Sequence, residues 1–447
     1  MQLIGSSYTL VLGLGIAGMS CARHLLEQGV PVAIADTRSE VAGLAELLTQ
    51  YPDVNRRFGD MLTGQWVAQA SEIVLAPGLA MDHPLLAQAR AAGVPIIGEI
   101  DLLRRAAPDA QIVAITGTNG KSTVTALTGE MIAATGARVA VGGNLGRPML
   151  DLLQDNADYL VIELSSFQLE RAQTFSPRVA TCLNMSPDHL DRHGDMQGYY
   201  QAKHRIFNGA DACVINHDDA LSRPLVADAM RIVEFTTGPS DFIRFGIEVI
   251  DGAEHVALRF KSVIPLAEIP LVGRHNLANA MAALGIVHAL DLDLQQACEG
   301  LRAFKGLPHR MRRCGEREGV IFVNDSKGTN EGASVAALQG MLSQSAGRVF
   351  LLVGGDGKGA DFSLLARAAA DPRAVLIGYG RDGQAIVQAC NGQGYVETLD
   401  QALTSAVEQA QSGDSVVLSP ACASFDQFPN FEARGQYFEQ LVAEWCQ

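Results

Sequence analysis

Short, continuously apolar runs alternate with stretches of helical periodicity along most of the chain. YTLVLGLG, VPVAIAD, EIVLAPG and VPIIGEI occupy the first hundred residues. Runs that are apolar on both faces, separated by amphipathic helices, predict parallel sheets covered by helices. A second series runs through QIVAITG, ARVAVGG, YLVIELSS, VATCLNM and ACVINH. It continues into VALRFKSVIPL, which reads as a small antiparallel excursion, and a helix through HNLANAMAALGIVHAL. A third series follows as GVIFVND, RVFLLVGGDG, AVLIGYG and DSVVLSP. The points of restart, near Ile100 and Gly306, predict three α/β domains at 1–100, 101–306 and 307–447. No low-complexity linker or short-period repeat interrupts them.

At 447 residues the chain exceeds one ordinary core, in keeping with three. A net charge of −15 argues against general affinity for nucleic acid or an anionic membrane, which rests on Lys and Arg meeting phosphates. Anionic ligands must therefore meet local clusters of positive charge. The eight cysteines are dispersed without CxxC or metal-ligand spacing, predicting reduced, mostly buried thiols in a cytosolic protein. MQLIGSSYTLVLGLG lacks a basic n-region and cleavage site, and no apolar stretch reaches the roughly 18 residues of a spanning helix.

Gly13, Gly15 and Gly18 follow the first strand and open a helix. That context suits a diphosphate approached by backbone at a helix N-terminus, although a tight strand-to-helix turn needs the same glycines. The pattern does not separate NAD from a nucleotide sugar. Asp36 ends the next strand, where an acid would read a ribose. With Thr37 and Arg38 it offers groups suited to a nucleobase edge or second phosphate, or merely a polar strand end.

GTNGKST (117–123) lies between a strand and a helix expected to begin near Val124. It has two residues between the first glycine and Gly-Lys, where the common phosphate loop has four. Loop amides, the Lys121 ammonium and a Ser122 or Thr123 hydroxyl on Mg²⁺ describe binding of ATP or a similar nucleotide. Glu163 ends the strand YLVIE, a natural place for a metal-holding carboxylate. NMSPDHLDRHG gathers Asp188, His189, Asp191 and His193; His189 is the candidate ligand, the last two suiting loop or cap roles. From chemistry alone Lys203, in YYQAKHRIF, reads as a solvated helical lysine.

LPHRMRR, NDSKGTN, GGDGKGADF and SPACASFDQFPNFEARG all fall at the carboxyl ends of predicted strands, the usual ligand side of an α/β sheet. Their Arg and Lys residues can grip a carboxylate or phosphate, and Ser424 with nearby amides can meet an anion.

With GLGIAG, GTNGKST, GGNLG, ELSSFQLE, DHLDRHG, AKHRIF, GRHNLANA, GLPHRM, NDSKGTN, GGDGKGADF and SPACASFDQF in order, the chain resembles the Mur ligase family, specifically its glutamate-adding branch. The resemblance implies a Rossmann-like first domain, a P-loop ATPase-like middle domain with a mostly parallel sheet, and a Rossmann-like third. It implies that ATP phosphorylates the L-alanyl carboxylate of UDP-N-acetylmuramoyl-L-alanine and that D-glutamate's amine displaces the phosphate. By motif, Gly117, Thr118, Asn119, Gly120, Lys121, Ser122, Thr123, Asn276, Asn279, Arg310, Asp325 and Lys327 fall to ATP. Gly15, Ile16, Ala17, Asp36, Thr37, Arg38, Gly78, Asn144, Ser165 and Gln168 fall to the UDP-substrate, and Thr329, Lys358, Ser424 and Phe431 to D-glutamate. Two Mg²⁺ ions are implied, with Ser122, Glu163, His189 and a carbamylated Lys203 as ligands; Lys121, Glu163, His189 and Lys203 carry catalysis. A monomeric, cytoplasmic bacterial enzyme is the family expectation. Two departures stand out: Ala76, where a serine would touch the uridine diphosphate, and Gly328, where alanine is common.

Competing readings leave motifs idle. A folylpolyglutamate synthase-like ligase does not account for the Asp36–Arg38 triplet or the C-terminal motif. An NAD(P)-dependent oxidoreductase leaves GTNGKST unused, and a nucleotide switch leaves the third-domain anion grips unused.

Overall fold

The computed structural model describes residues 8–225, 230–271, 273–345 and 347–446, so the opening residues of MQLIGSSYTLVLGLG lie outside it. The first sheet contains β1 (Thr9–Leu12), β2 (Val32–Asp36), β3 (Asn55–Phe58), β4 (Glu72–Leu75) and β5 (Ile96–Ile97). Its order is β3-β2-β1-β4-β5, all parallel. VPIIGEI supplies only two strand residues because Gly98 precedes a helix, Glu99–Ala106, whose Asp101 carboxylate accepts the Gly98 N–H at 3.0 Å.

The second sheet comprises β6 (Gln111–Thr116), β7 (Val139–Gly143), β8 (Tyr159–Glu163), β9 (Val179–Cys182), β10 (Ala212–Asn216), β11 (Arg231–Pro239), β12 (Arg244–Ile250), β13 (Ala253–Leu258) and β14 (Lys261–Pro265). Its order is β14-β13-β12-β11-β10-β9-β6-β8-β7. The expected antiparallel excursion is the β12-β13-β14 meander, and it extends the parallel sheet through β11. β11 and β12 carry polar, glycine-interrupted sequences that no apolar run announces.

The third sheet holds β15 (Arg312–Arg317), β16 (Val320–Asn324), β17 (Val349–Gly354), β18 (Ala374–Tyr379), β19 (Gly394–Val396) and β20 (Ser415–Leu418). It is ordered β15-β16-β20-β17-β18-β19, with only the β15-β16 pair antiparallel. The fold is thus α/β on three mostly parallel sheets. The chain condenses into two compact units, residues 1–266 with 281–302, and 267–280 with 303–447. The first two sheets share a unit because one continuous apolar core, from Val11 and Ile34 through Ile162 to Ile215, runs beneath both.

Among the described residues no disulfide joins any of the eight cysteines, six of which are buried. Among the described residues no helix is long and apolar enough to cross a membrane. The helix Met196–His204 starts at Asp195, whose carboxylate accepts the Gly198 N–H at 2.8 Å. Asp195→Ala should cost about 1 kcal/mol, the usual loss for an N-cap, read as a lowered urea midpoint at unchanged m-value.

Candidate active site

Each sheet reverses its winding direction once, and the loops leaving the strands at that reversal carry the candidate residues. In the first sheet the reversal lies between β1, with neighbours β2 and β4 on opposite sides, and the loops are Gly13–Gly15 and Ala76–Leu79. Gly18 is required for helix-to-strand contact, since a Cβ there would lie 1.9 Å from the Gly13 carbonyl oxygen. The Ala76 methyl fills the space beside Gly13, where a glycine Cβ would come within 2.9 Å of it. Gly15 caps the helix Ile16–Glu27, so Ile16 and Ala17 form its first turn; Ile16 is 77% exposed.

Asp36 is nearly buried, and both its oxygens are engaged. It accepts the Leu14 N–H at 2.7 Å and three bonds from the Arg38 backbone and guanidinium at 2.8–2.9 Å. Burial pushes its carboxyl up, but Arg38 and the Leu14 amide outweigh that and hold it below the ordinary value. Asp36 therefore pins the glycine turn to Arg38, whose side chain stays 59% exposed, while Thr37 and Gly78 lie exposed on the same rim.

In the second sheet the reversal is at β6, flanked by β8 and β9. Gly117 (φ +152°) and Gly120 (φ +82°) shape the loop after β6. Its helix begins at Lys121, not near Val124, because Gly120 in the left-handed region starts the helix itself. Thr118 N–H donates to Asn184 O at 2.9 Å and Asn119 N–H to Asn184 Oδ1 at 2.8 Å, fastening the loop to the end of β9. Lys121 Nζ donates to the Gly117 and Thr118 carbonyls at 2.9 and 2.8 Å, and Ser122 and Thr123 are buried in the first helical turn.

Glu163 ends β8 and is 2% exposed. Asn144 Nδ2 donates to its Oε1 at 2.7 Å, whereas Oε2 is buried without a hydrogen-bond partner. A buried carboxylate oxygen lacking a donor suits a cation ligand. Lys203 is 1% exposed and fully overturns the solvated reading: Nζ donates to Gly117 O at 2.7 Å and Thr116 Oγ1 at 3.1 Å. Burial, reinforced by the Lys121 charge, lowers its pKa to about 7, against the pull of Cys182, Asp188 and Glu163. The same neighbourhood thus holds Lys121, Glu163, Asp188 and Lys203.

His189 adopts a left-handed backbone (φ +52°), its ring 3.7 Å from Asp188 and edge-on to Phe167. His193 hydrogen-bonds Ser166 Oγ at 2.9 Å and packs at tilted angles against Phe167 and Tyr199, a satisfied structural role. Asp191 lies in the first turn of the helix Leu190–His193. Earlier in the chain, Ser165 and Gln168 reciprocally cap the short helix Ser166–Leu169, at 3.2 Å and 3.0 Å. Among the described residues no three His, Cys, Asp or Glu side chains form a ready-made metal cluster.

The second compact unit builds its own cluster. β20 lies between β16 and β17, and the loops after these three strands carry the candidates. Residues Asp356 and Ala423 exchange backbone bonds at 2.9 Å, bringing the Lys358 loop beside Ser424. Lys327 Nζ lies 4.1 Å above the Phe431 ring, and Ser326 Oγ donates to Phe431 O at 2.8 Å. Thr329 N–H closes a tight turn on Lys327 O at 2.7 Å. Burial raises Asp325 to about 7, partly offset by the Ser419 hydroxyl, the Met311 amide and the charges of Arg310 and Arg434. Gly328 approaches Ser419 and Asp325 closely: a Cβ would sit 2.5 Å from Ser419 Oγ. Asn276 and Asn279 share a helix face, bonded to each other at 3.1 Å.

Sequence reasoning missed Arg434, Asn324 and Arg171. Arg434 is fully buried and donates to Ser326 Oγ, Ser326 O and Cys422 O at 2.8–3.1 Å, tying NDSKGTN to SPACAS. Asn324 donates to His309 Nδ1 and Gly435 O. A lone Arg in a helical pattern carries no sign of burial; only the facing carbonyls reveal it.

Three family models match in register: "Mur ligase MurD-like, N-terminal domain" over residues 7–98, "Mur ligase middle domain" over 115–287 and "Mur ligase, glutamate ligase domain" over 309–422. The chain is 47% identical to the UDP-N-acetylmuramoylalanine--D-glutamate ligase of Pseudomonas aeruginosa, covering 99% of this chain and 100% of that one. It is 43% identical to the Marinobacter nauticus ligase of the same name, covering 98% and 99%. Among solved structures, a UDP-N-acetylmuramate-alanine ligase from Thermotoga maritima matches with TM-score 0.60 at 18% identity, covering 98% of this chain and 99% of that one. A pseudomurein peptide ligase type C from Methanothermus fervidus matches with TM-score 0.62 at 18% identity, covering 98% and 100%. These two likenesses concern the fold.

Proposed function

The chain belongs to the Mur ligase family, and from that membership we propose that it joins D-glutamate to the L-alanyl carboxylate of UDP-N-acetylmuramoyl-L-alanine at the expense of ATP, for peptidoglycan synthesis. The observation that carries this reading is the full-length likeness to ligases of that activity. The geometry supports it, with a phosphate loop on one sheet and anion-gripping loops on the others.

A carboxylate is a poor electrophile and hydroxide a poor leaving group, so the acid must be activated. The substrate carboxylate attacks the γ-phosphorus of ATP, giving an acyl phosphate and ADP. The uncharged amine of D-glutamate then adds to the acyl carbon, and the tetrahedral adduct collapses with loss of phosphate and a proton. The loop amides and Lys121 hold the transferring phosphates, supplying positioning and charge stabilisation. Asn276, Asn279, Arg310, Asp325 and Lys327 complete the ATP contacts. Gly15, Ile16, Ala17, Thr37, Arg38 and Gly78 face the uridine end, Asn144, Ser165 and Gln168 the muramoyl part, and Thr329, Lys358, Ser424 and Phe431 D-glutamate.

Ser122, Glu163, His189 and a carbamylated Lys203 would hold two Mg²⁺ ions, which when bound neutralise phosphate charge. The partnerless Glu163 Oε2 fits such a role. Lys203 fits carbamylation, since a pKa near 7 leaves much of its amine neutral at physiological pH, the form that adds CO₂. The protein works as a cytoplasmic monomer.

Phosphate release from Mg-ATP tests the reading. Release should require both the nucleotide sugar and D-glutamate and fail with L-glutamate; release indifferent to the nucleotide sugar would remove the substrate assignment while leaving ATP turnover intact.

A further inference from the structure

Arg171 is fully buried, and its guanidinium is met mainly by backbone: it donates to the Phe167 and Leu79 carbonyls, with Pro77 O at 3.4 Å and a longer ion pair to Glu170 at 3.7 Å. Arg192 donates to the same Leu79 carbonyl at 2.8 Å and to Glu170 at 3.1 Å, its guanidinium 5.0 Å above the Phe167 ring. One backbone oxygen thus accepts from two guanidiniums, with Glu170 between them. Burial lowers the Arg171 pKa to about 10, and its Nε is buried without a partner. A cation this desolvated is costly unless its fixed donors accomplish something a hydrophobic side chain could not.

What the two arginines hold is the loop after β4, adjoining Gly78, against the segment between Ser165 and His193. The nucleotide end of the substrate falls to the first rim and the reacting carboxylate to the second. We propose that Arg192 and Arg171 are positioning residues that set the span between these two rims, so that a substrate anchored by its uridine diphosphate delivers its carboxylate in register with the phosphate loop. The proposal rests on the ligase reading above. Neither guanidinium contacts the chemistry; each acts through the Leu79 carbonyl.

The test compares UDP-N-acetylmuramoyl-L-alanine with 1-phospho-N-acetylmuramoyl-L-alanine, which lacks the uridine anchor. In Arg192→Ala, kcat for the full substrate should fall at least about tenfold with KM within about threefold, the pattern of a substrate still anchored but held out of register. KM for ATP and turnover of the truncated substrate should match wild type. Arg192→Lys, which keeps the charge but not the fork, should fall between. Arg171→Met, if it folds, should repeat the pattern. Equal losses on both substrates would reduce the clamp to a structural tie, and no change on either would remove it; both results overturn the proposal. Wild-type protein inactive on the full substrate would instead defeat the ligase reading.

Discussion

Lys203→Ala should lose more than about 100-fold in kcat, beyond the losses typical of residues that merely support a metal ligand, and regain part of it with acetate or another short carboxylate. Lys203 lies beneath the phosphate loop, donating to Thr116 and Gly117 oxygens with Nζ 5.0 Å from the Tyr199 ring, and its charged form is disfavoured by desolvation and by Lys121. Carbamylation turns that unfavourable cation into an anion aimed at the same place; alanine leaves a space that a small carboxylate can refill. Incubation with ¹³CO₂ should give one carbonyl signal in wild type that is absent in the variant, a readout independent of turnover. A fully active variant would rule out the carbamate.

The unmodified amine adds a pH signature whose sign follows from its lowered pKa. Between about 7 and the ordinary lysine value of 10.5 the unfolded chain holds the extra proton and the native chain does not. Stability of the unmodified protein therefore rises with pH across that window, and the burial cost is fully expressed below about 7. Lys203→Met should remove this increment when its urea midpoints are subtracted from those of wild type.

Lys121→Ala should reduce kcat by about 10²–10³, or roughly 2.7–4 kcal/mol, as for loss of one well-aimed donor to a developing charge. Lys121 is the first residue of its helix and folds over the loop carbonyls of Gly117 and Thr118. Its ammonium is therefore delivered to the loop by backbone geometry, not by a flexible reach from a distant element. The variant should keep its melting temperature, because the lysine fills no core space. Near-normal turnover in the folded variant would show that the loop amides suffice.

Much of this was legible in the chain. Parallel strands buried on both faces must be apolar throughout, so β1, β6 and β17 were visible as runs, and the glycine loops showed where backbone meets phosphate. Lys203, Arg171 and Arg434 were not legible as buried residues, because a charged residue in a helical pattern reads as solvated until the opposing carbonyls are known. Asp36 was visible as a strand-end acid, but its grip on Leu14 and Arg38 depends on how the glycine turn folds over it. The division into two compact units was hidden for a similar reason: strand patterns announce sheets, whereas the core shared by the first two arises from packing between elements distant in sequence.

The confinement of candidate chemistry to the carboxyl rims has a practical corollary. The opposite rims, where the chain enters its strands, hold exposed turns such as those at Gly93, Gly136 and Gly413, around which a side chain would meet open space. Although their positive φ favours glycine over substitution, these turns mark where a short tether, a reporter peptide or an immobilisation handle can be spliced in. Each sheet therefore has a working face and a handling face, and the protein can be held by one while the other stays free to react.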